Sequence, residues 1–161
     1  MPNWCMNTVT ITGDAEKLRS IEAAANNDSL LEHLAPIGEW DYGTAVETWG
    51  TKWDISGPDV QIEEDGKTMH LNFDSAWGPP TEAYEKYIEK NPDMSIEASY
   101  YESGMCFIGW YNSSEELNES FEIDFADEDW RDDIPQDLID DWGLDDEYEN
   151  WKEWQDDEDD E

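Results

Sequence analysis

Residues 115–161 combine a very high density of negative charge with regularly spaced aromatic residues, and this combination restricts what the chain can form. The segment holds 24 acidic residues and two basic ones, Arg131 and Lys152, so its net charge is −22. A disordered acidic tail contains few aromatic residues, because it cannot bury enough surface to offset its chain entropy. Here large apolar residues recur among the carboxylates: Phe121, Ile123, Phe125, Trp130, Ile134, Leu138, Trp142, Tyr148, Trp151 and Trp154. The pattern predicts that most of the segment is folded.

The chain as a whole carries a net charge of −36 over 161 residues, and the first 114 residues contribute only −14 of it. Ten Trp, seven Tyr and four Phe supply the apolar surface that must offset this self-repulsion. Lys and Arg total eight and are nowhere clustered, which argues against direct binding to nucleic acid or to an anionic membrane. No basic leader precedes an apolar run, and no apolar stretch is long enough to span a bilayer, so we expect a cytoplasmic protein.

Hydrophobic periodicity in residues 1–114 predicts an α+β domain. The spacing of apolar residues gives strands and helices: strands over 7–12, 60–62, 69–73, 94–101 and 106–111, and helices beginning at Asp14, near Leu30 and after Pro80. We expect residues 38–57 to form an irregular, Trp-rich loop. The order strand, helix, strand, strand, helix, strand, with one extra hairpin strand, predicts a ferredoxin-like (split βαβ) antiparallel sheet with helices on one face.

Residues 115–161 are predicted to form an acidic, aromatic-rich and mostly helical extension of this domain. Phe and Ile alternate with acidic residues over 121–125, which predicts a strand able to extend the sheet. Pro135 and Gly143 bound one predicted helix, and a second follows Gly143. The nearly uninterrupted acid of residues 155–161 predicts a frayed tail.

Four uncommon strings occur in order in the first domain: Met1-Pro-Asn-Trp-Cys5 together with Asn7, Gly50-Thr-Lys-Trp-Asp54, Phe73-Asp-Ser-Ala-Trp-Gly-Pro-Pro80, and Tyr101-Glu-Ser-Gly-Met-Cys-Phe-Ile-Gly109. Together they resemble the YubB-like family of small ferredoxin-like domains found on plasmids and in phages. The resemblance covers about residues 1–112. It implies the ferredoxin-like fold and a mobile-element setting, and it implies no catalytic residues.

Metal sites and enzyme active sites find little support in the sequence. Two Cys and two His match the inventory of a zinc site, but no two of them have the short spacing of zinc motifs. We expect Cys5 and Cys106 to pack as small apolar side chains. The best calcium-loop register, beginning at Asp127, lacks the required glycine and the terminal Glu. Without a nucleophile or phosphate-binding motif, the sequence predicts no enzyme, no cofactor and no metal.

A group of four tryptophans, Trp49, Trp53, Trp77 and Trp110, has two interpretations. It can form a ligand cage or a base-stacking platform, or it can form the core and pocket rim of a small sheet domain. Stacking on nucleic acid also requires a basic groove to hold the backbone, and this chain lacks one. We therefore expect these tryptophans to belong mainly to the core.

Dense, ordered carboxylates resemble the phosphate backbone of nucleic acid electrostatically. B-DNA carries one charge per roughly 1.7 Å of axis, so 22 charges correspond to about 37 Å of duplex, or about 11 base pairs. We interpret the chain as a nucleic-acid mimic, encoded by a phage or plasmid, that inhibits a basic nucleic-acid-binding protein of host defence or DNA processing. The carboxylates expected to contact this partner are Asp127, Glu128, Asp129, Asp132, Asp133, Asp137, Asp140, Asp141, Asp145, Asp146, Glu147 and Glu149.

Two other interpretations stay open. In one, the acid serves solubility, and the sheet or the Trp-rich loop binds a protein or a small ligand. In the other, the chain is an enzyme with a cleft around residues 49–53 and Trp77. A surface adapted only for solubility or salt would spread its acid over the whole chain, whereas here the charge is concentrated after Ser114.

Overall fold

An antiparallel sheet organises the molecule. The computed structural model of the chain describes residues 4–159, with side chains as far as Gln155. Within this range the sheet has six strands: β1 (Trp4–Thr12), β2 (Asp59–Ile62), β3 (Thr68–Ala76), β4 (Ser95–Glu102), β5 (Phe107–Asn112) and β6 (Leu117–Glu122). Their order is β2-β3-β1-β4-β5-β6, and all neighbouring strands are antiparallel. The predicted α+β class is confirmed.

Helices connect and cover the strands. Over residues 4–159 they are α1 (Ala15–Asn26), α2 (Leu30–Leu34), α3 (Tyr42–Trp49), α4 (Thr81–Lys90), α5 (Gln136–Trp142) and α6 (Leu144–Asp159). Asp14 caps α1, because its carboxylate accepts a hydrogen bond from the backbone N–H of Lys17 at 3.1 Å. Gly143 adopts a left-handed conformation, with φ of +63°, and this ends α5 one residue before α6 begins.

The first core lies between one face of the sheet and helices α1 to α4. Along β1 alternate side chains point to this face, and the strand register places Val9 opposite both Leu71 of β3 and Ala98 of β4. Apolar residues of α1 and α2, such as Leu18 and Leu30, are fully buried against it. The strict alternation of β1 therefore fixes which face of the sheet the first four helices cover.

A second core lies on the opposite face of the sheet. Tyr101 of β4 and Ile108 of β5 are cross-strand partners that point away from the first core, and both are buried. The chain after β6 packs on them through a set of buried side chains: Ile123, Trp130, Ile134, Leu138, Ile139 and Leu144. Helices α5 and α6 therefore lie on the face of the sheet opposite to α1 to α4.

The prediction of an irregular loop over residues 38–57 is wrong in its centre, where the chain forms α3. Asp41 caps this helix by accepting a hydrogen bond from Thr44 N at 3.0 Å, and Gly50 ends it in a left-handed conformation. Ala45 and Trp49, four residues apart, are its buried positions. The helix is short, and its apolar stripe consists of only these two residues, which is too little to stand out in the sequence.

The strand predicted over 121–125 is displaced toward the N-terminus, because β6 spans Leu117–Glu122 and pairs with β5. Phe121 lies in the strand and packs against the second core. Ile123 and Phe125 follow the strand and also pack in this core. The apolar alternation continues past the last pair of the sheet because these two residues serve packing rather than pairing.

The described residues include part of the predicted C-terminal tail and part of the first quoted string. Helix α6 continues as far as Asp159, which is inside the segment 155–161 predicted to fray, and fraying in solution stays a prediction. Residues 160 and 161, and Met1 to Asn3 of the first quoted string, lie outside the described residues. Over the described range, no helix is both long enough and apolar enough to cross a membrane.

Candidate partner-binding surface

All twelve carboxylates predicted to contact a partner are exposed. Five lie in the loop between β6 and α5: Asp127, Glu128, Asp129, Asp132 and Asp133. Three lie on α5: Asp137, Asp140 and Asp141. Four lie on the first turns of α6: Asp145, Asp146, Glu147 and Glu149. We call these twelve residues the carboxylate array.

Buried residues between the acidic ones fix the direction of the array on α5. Leu138 and Ile139 are each 1% exposed and face the second core. Asp137, Asp140 and Asp141 lie directly before and after these two residues and are exposed to solvent. A helix anchored by two adjacent buried side chains cannot rotate without exposing them, so the three carboxylates keep one orientation.

The loop before α5 is ordered by its own hydrogen bonds and by two buried side chains. Asp127 Oδ1 accepts a hydrogen bond from the backbone N–H of Asp129 at 3.0 Å, and the N–H of Trp130 donates to the carbonyl oxygen of Asp127 at 3.2 Å. Trp130 and Ile134 are buried on either side of the exposed Asp132 and Asp133. Turns of this kind let short acidic side chains stabilise the backbone that carries them.

An aromatic cluster consisting of Phe125, Trp130, Tyr148 and Trp151 joins the loop to α6. The ring centroids of Phe125 and Trp130 are 5.0 Å apart in an edge-to-face arrangement, and those of Trp130 and Tyr148 are 5.4 Å apart. Tyr148 and Trp151 are stacked at 6.2 Å. Such pairs contribute about 0.5–1.5 kcal/mol each beyond the area they bury. The cluster therefore holds α6 against the loop despite the charge repulsion between them.

Arg131 is the one basic side chain placed within the array. Its Nε donates to Asp145 Oδ1 at 2.9 Å, and its guanidinium lies 4.4 Å from the ring centroid of Trp130 and 5.1 Å from that of Tyr148. The Arg131–Asp145 pair is exposed, so it stabilises the fold only slightly. The pair also changes the charge of the surface. Arg131 partly neutralises the charge of Asp145, whereas most other carboxylates of the array have no such partner among the described residues.

A groove of about 700 Å³ runs between α5 and the uncovered part of the sheet. Thr8 and Glu97 on the sheet line one side, and Asp137 and Asp141 of α5 line the other. Trp142 of α5 donates from Nε1 to Ser99 Oγ, which lines the groove, at 3.3 Å. Two members of the carboxylate array thus reach the polar sheet surface, which the sequence alone did not indicate.

The two cysteines lie in different surroundings, one buried and one exposed. Among the described residues, no group of three or more His, Cys, Asp or Glu side chains is arranged to hold a metal ion. Cys5 is buried, as predicted, and burial raises the pKa of its thiol to about 12, so it is not a nucleophile at neutral pH. Cys106 is exposed, so the prediction that it packs as an apolar side chain is wrong.

The prediction that the tryptophans belong mainly to the core is correct for Trp49 and wrong for Trp53 and Trp77, whereas Trp110 is partly buried and packs against the second core. Trp49 is buried and donates from Nε1 to the carbonyl oxygen of Ala35 at 2.8 Å. Trp53 and Trp77 are exposed. Ring contacts, shared contacts with Lys52 and the pairing of β1 with β3 place them with other exposed aromatic residues at one end of the sheet. We call the five together the aromatic platform: Trp4, Trp40, Tyr42, Trp53 and Trp77. Composition alone cannot separate exposed from buried Trp.

Comparison with known proteins adds no assignment. No family model matches the chain, and no curated protein and no solved structure matches it either. The functional interpretation therefore rests on the geometry and charge described above.

Proposed function

We propose that this protein is an inhibitor that mimics nucleic acid, and that its carboxylate array occupies the DNA- or RNA-binding groove of a basic partner protein. One observation supports this most directly: all twelve carboxylates face solvent on a segment whose buried side chains pack against the sheet. An array that is already ordered loses less conformational entropy on binding than a flexible acidic tail does.

The spacing of the helical carboxylates fits this role. Asp137 and Asp141 on α5, and Asp145 and Glu149 on α6, are each four residues apart. Four residues of helix rise about 6 Å along the axis. Phosphates of one DNA strand are spaced about 3.4 Å along the duplex axis, so one such pair spans about two phosphate steps. Asp145 is the least available of the four, because Arg131 pairs with it.

We infer a ferredoxin-like arrangement for residues 1–114, since β1, α1, β2, β3, α4 and β4 follow the split βαβ order and lie side by side as β2-β3-β1-β4. Helices α2 and α3 and strand β5 are additions to that unit. Residues 115–161 are then an extension that contributes β6, α5 and α6.

The setting we propose is the cytoplasm of a host cell that carries a phage or plasmid. The resemblance of residues 1–112 to YubB-like domains supports a mobile element as the source. The partner is a basic nucleic-acid-binding protein, either a defence factor of the restriction or CRISPR type or a DNA-processing protein. With a net charge of −36, long-range attraction speeds association with such a partner, and this attraction weakens as salt rises. The proposal includes no catalytic activity and no cofactor.

Capture followed by specific elution tests the proposal. The full chain is immobilised, a host lysate is applied at low salt, and retained proteins are eluted with a duplex of about 12 base pairs at constant ionic strength. We expect the duplex to release the partner, because DNA and the carboxylate array compete for one groove. Mimicry would be contradicted if the partner stayed bound in the presence of excess duplex and left only when detergent or denaturant was added.

Two charge-reversal variants give a matched control. In the first, Lys replaces four members of the array: Asp132, Asp133, Asp140 and Asp141. In the second, Lys replaces four exposed carboxylates elsewhere: Asp59, Glu64, Glu85 and Glu89. Both change the net charge by the same amount, so general attraction weakens equally. We expect only the first variant to lose the partner, and equal losses would show that charge alone, rather than the array, determines binding.

A second candidate function has its own support in the aromatic platform. Exposed aromatic residues that cluster on a soluble domain commonly mark an interaction surface. In this alternative the platform binds a protein or small ligand, and the acid serves solubility. The first charge-reversal variant separates the two candidates, because it leaves the platform unchanged and retains the partner in this case.

A further inference from the structure

The aromatic platform has features that point to a particular kind of ligand. Its five side chains are between 37% and 58% exposed, although they are among the largest apolar side chains in the chain. The rings of Trp4 and Trp53 contact each other, with centroids 6.2 Å apart and planes inclined by 40°. The platform is built from the start of β1, the segment around α3 and the turn after β3, so it is assembled from parts of the chain that are distant in sequence.

A cation already rests on this platform. The ammonium of Lys52 lies 4.5 Å from the ring centroid of Trp53 and 5.8 Å from that of Tyr42. Trp40 Nε1 donates to the carbonyl oxygen of Lys52 at 2.9 Å, which fixes the backbone beneath it. Among the ion pairs of the described residues none involves Lys52, although carboxylates are abundant in the chain. The rings, rather than a carboxylate, hold this positive charge.

Trp77 is kept exposed by a strained backbone. Its φ is +71°, a left-handed conformation that is uncommon for a bulky aromatic residue. The turn is held by two hydrogen bonds: Ser75 Oγ donates to the carbonyl oxygen of Gly78 at 2.6 Å, and Thr51 Oγ1 donates to that of Ala76 at 2.7 Å. Strain that the surroundings enforce is characteristic of functional positions. The indole of Trp77 is exposed beside the start of β1.

We propose that the aromatic platform binds the guanidinium group of an exposed arginine on a basic protein partner. This arginine displaces the ammonium group of Lys52 from the rings of Trp53 and Tyr42. The net charge of −36 selects basic partners, and the faces of the platform rings already hold a cation. Arginine stacks on aromatic faces more readily than lysine, because its guanidinium is planar and weakly hydrated. An apolar partner segment fits less well, since covering the platform would bury the Lys52 ammonium without a carboxylate.

This site is separate from the carboxylate array and needs no nucleic-acid groove in the partner. The probe is therefore a simple one, an acetylated and amidated tetra-arginine peptide, compared with tetra-lysine. Calorimetric titration of the full chain at about 0.3 M salt shortens the screening length to well below 10 Å, which suppresses attraction to distant carboxylates. We expect tetra-arginine to bind more tightly than tetra-lysine, and equal affinities would overturn the assignment of arginine.

Two pairs of variants locate the binding. Trp53→Ala is compared with Trp154→Ala, since Trp154 is also exposed but lies on the acidic helix α6. We expect only Trp53→Ala to weaken tetra-arginine binding, by roughly fivefold. Lys52→Met is compared with Lys67→Met, which removes the same charge from an exposed turn. We expect Lys52→Met to tighten binding more than Lys67→Met does, because it empties the ring faces.

A second platform variant keeps the test decisive if Trp53→Ala does not fold. If circular dichroism shows that Trp53→Ala is unfolded, Tyr42→Ala, at a more exposed ring, replaces it. The site would be overturned if the platform variant and Trp154→Ala changed the affinity for tetra-arginine equally. Equal changes in the two lysine variants would also overturn it. Tighter binding of a single-stranded oligothymidylate than of tetra-arginine would also overturn it, because the platform would then be stacking bases. Mimicry by the carboxylate array is unaffected by either result.

Discussion

Replacing Leu138 by alanine tests whether the second core is what orders the carboxylate array. Leu138 is 1% exposed and packs with Tyr101 and Ile108 of the sheet. The substitution removes about three methyl or methylene groups, each worth about 0.8 kcal/mol in transfer, and it leaves a cavity. We expect the free energy of unfolding to fall by about 3 kcal/mol. For a chain of this length, that corresponds to a decrease in Tm of roughly 6–12 °C.

The matched control for this variant is Leu30→Ala. Leu30 is fully buried in the first core, on the other face of the sheet, so its loss should cost a similar free energy. Neither substitution changes a charge. Urea unfolding followed by far-UV circular dichroism gives both values, and partner binding is then measured at a temperature where both variants are folded.

The expected result is that Leu138→Ala weakens partner binding while Leu30→Ala does not, because only the former loosens the segment that carries the array. A loss of stability below about 1 kcal/mol for Leu138→Ala would refute the packing argument, since it would mean that α5 is not held tightly against the sheet. Equal partner affinities for two equally destabilised variants would refute the link between order and binding.

Three further outcomes follow from other features. Gly109→Ala should cost about 3 kcal/mol in urea unfolding, because its methyl group would overlap Tyr100 and the backbone of β6, and wild-type stability would contradict this. Burial raises the pKa of Cys5 from 9.0, and that of Tyr101 from 10.0, to about 12, so these two groups should leave stability unchanged between about pH 7 and 9 and lower it as the pH rises from 9 to 12. Tyrosinate absorbance measured against pH checks this, and full titration near pH 10 without unfolding would count against it. Ending the chain at Ser114 removes β6 and uncovers Tyr101, so the truncated protein should aggregate at concentrations where the full chain is monodisperse by light scattering.

The elements that the sequence predicts well are those in which one periodicity extends over several residues. β1 alternates polar and β-branched residues, and only one register buries Val9 and Ile11 together. α5 is bounded by a proline and a glycine, whose backbone preferences mark helix ends directly. In such segments local preference and tertiary packing favour the same conformation, so the sequence alone predicts the element.

The features that the sequence did not predict depend on contacts between segments that are distant in the chain. Nothing local shows that the residues after β6 cover the face of the sheet opposite to α1, because that depends on Tyr101 and Ile108 being left uncovered by helices α1 to α4. Likewise, Trp53 and Trp49 are only four residues apart, and their different exposure follows from the position of α3 against the first core. The exposure of the array was predictable because carboxylates are almost never buried unpaired.

The positions of the basic residues help to explain how so acidic a surface can be folded and still remain charged. Lys52, Arg131 and Lys152 lie over aromatic rings, at 4.5, 4.4 and 5.3 Å from a ring centroid. A cation on a ring face is attracted by the ring itself, so it stays at the surface without having to cover a carboxylate. Its field still lowers the repulsion among the acidic residues around it. Among the described side chains, Arg131 alone of these three also pairs with a carboxylate, that of Asp145. The aromatic residues therefore serve two purposes at once: they supply the burial that offsets the repulsion, and near the array they hold Arg131 and Lys152 while leaving most of its carboxylates free for a partner.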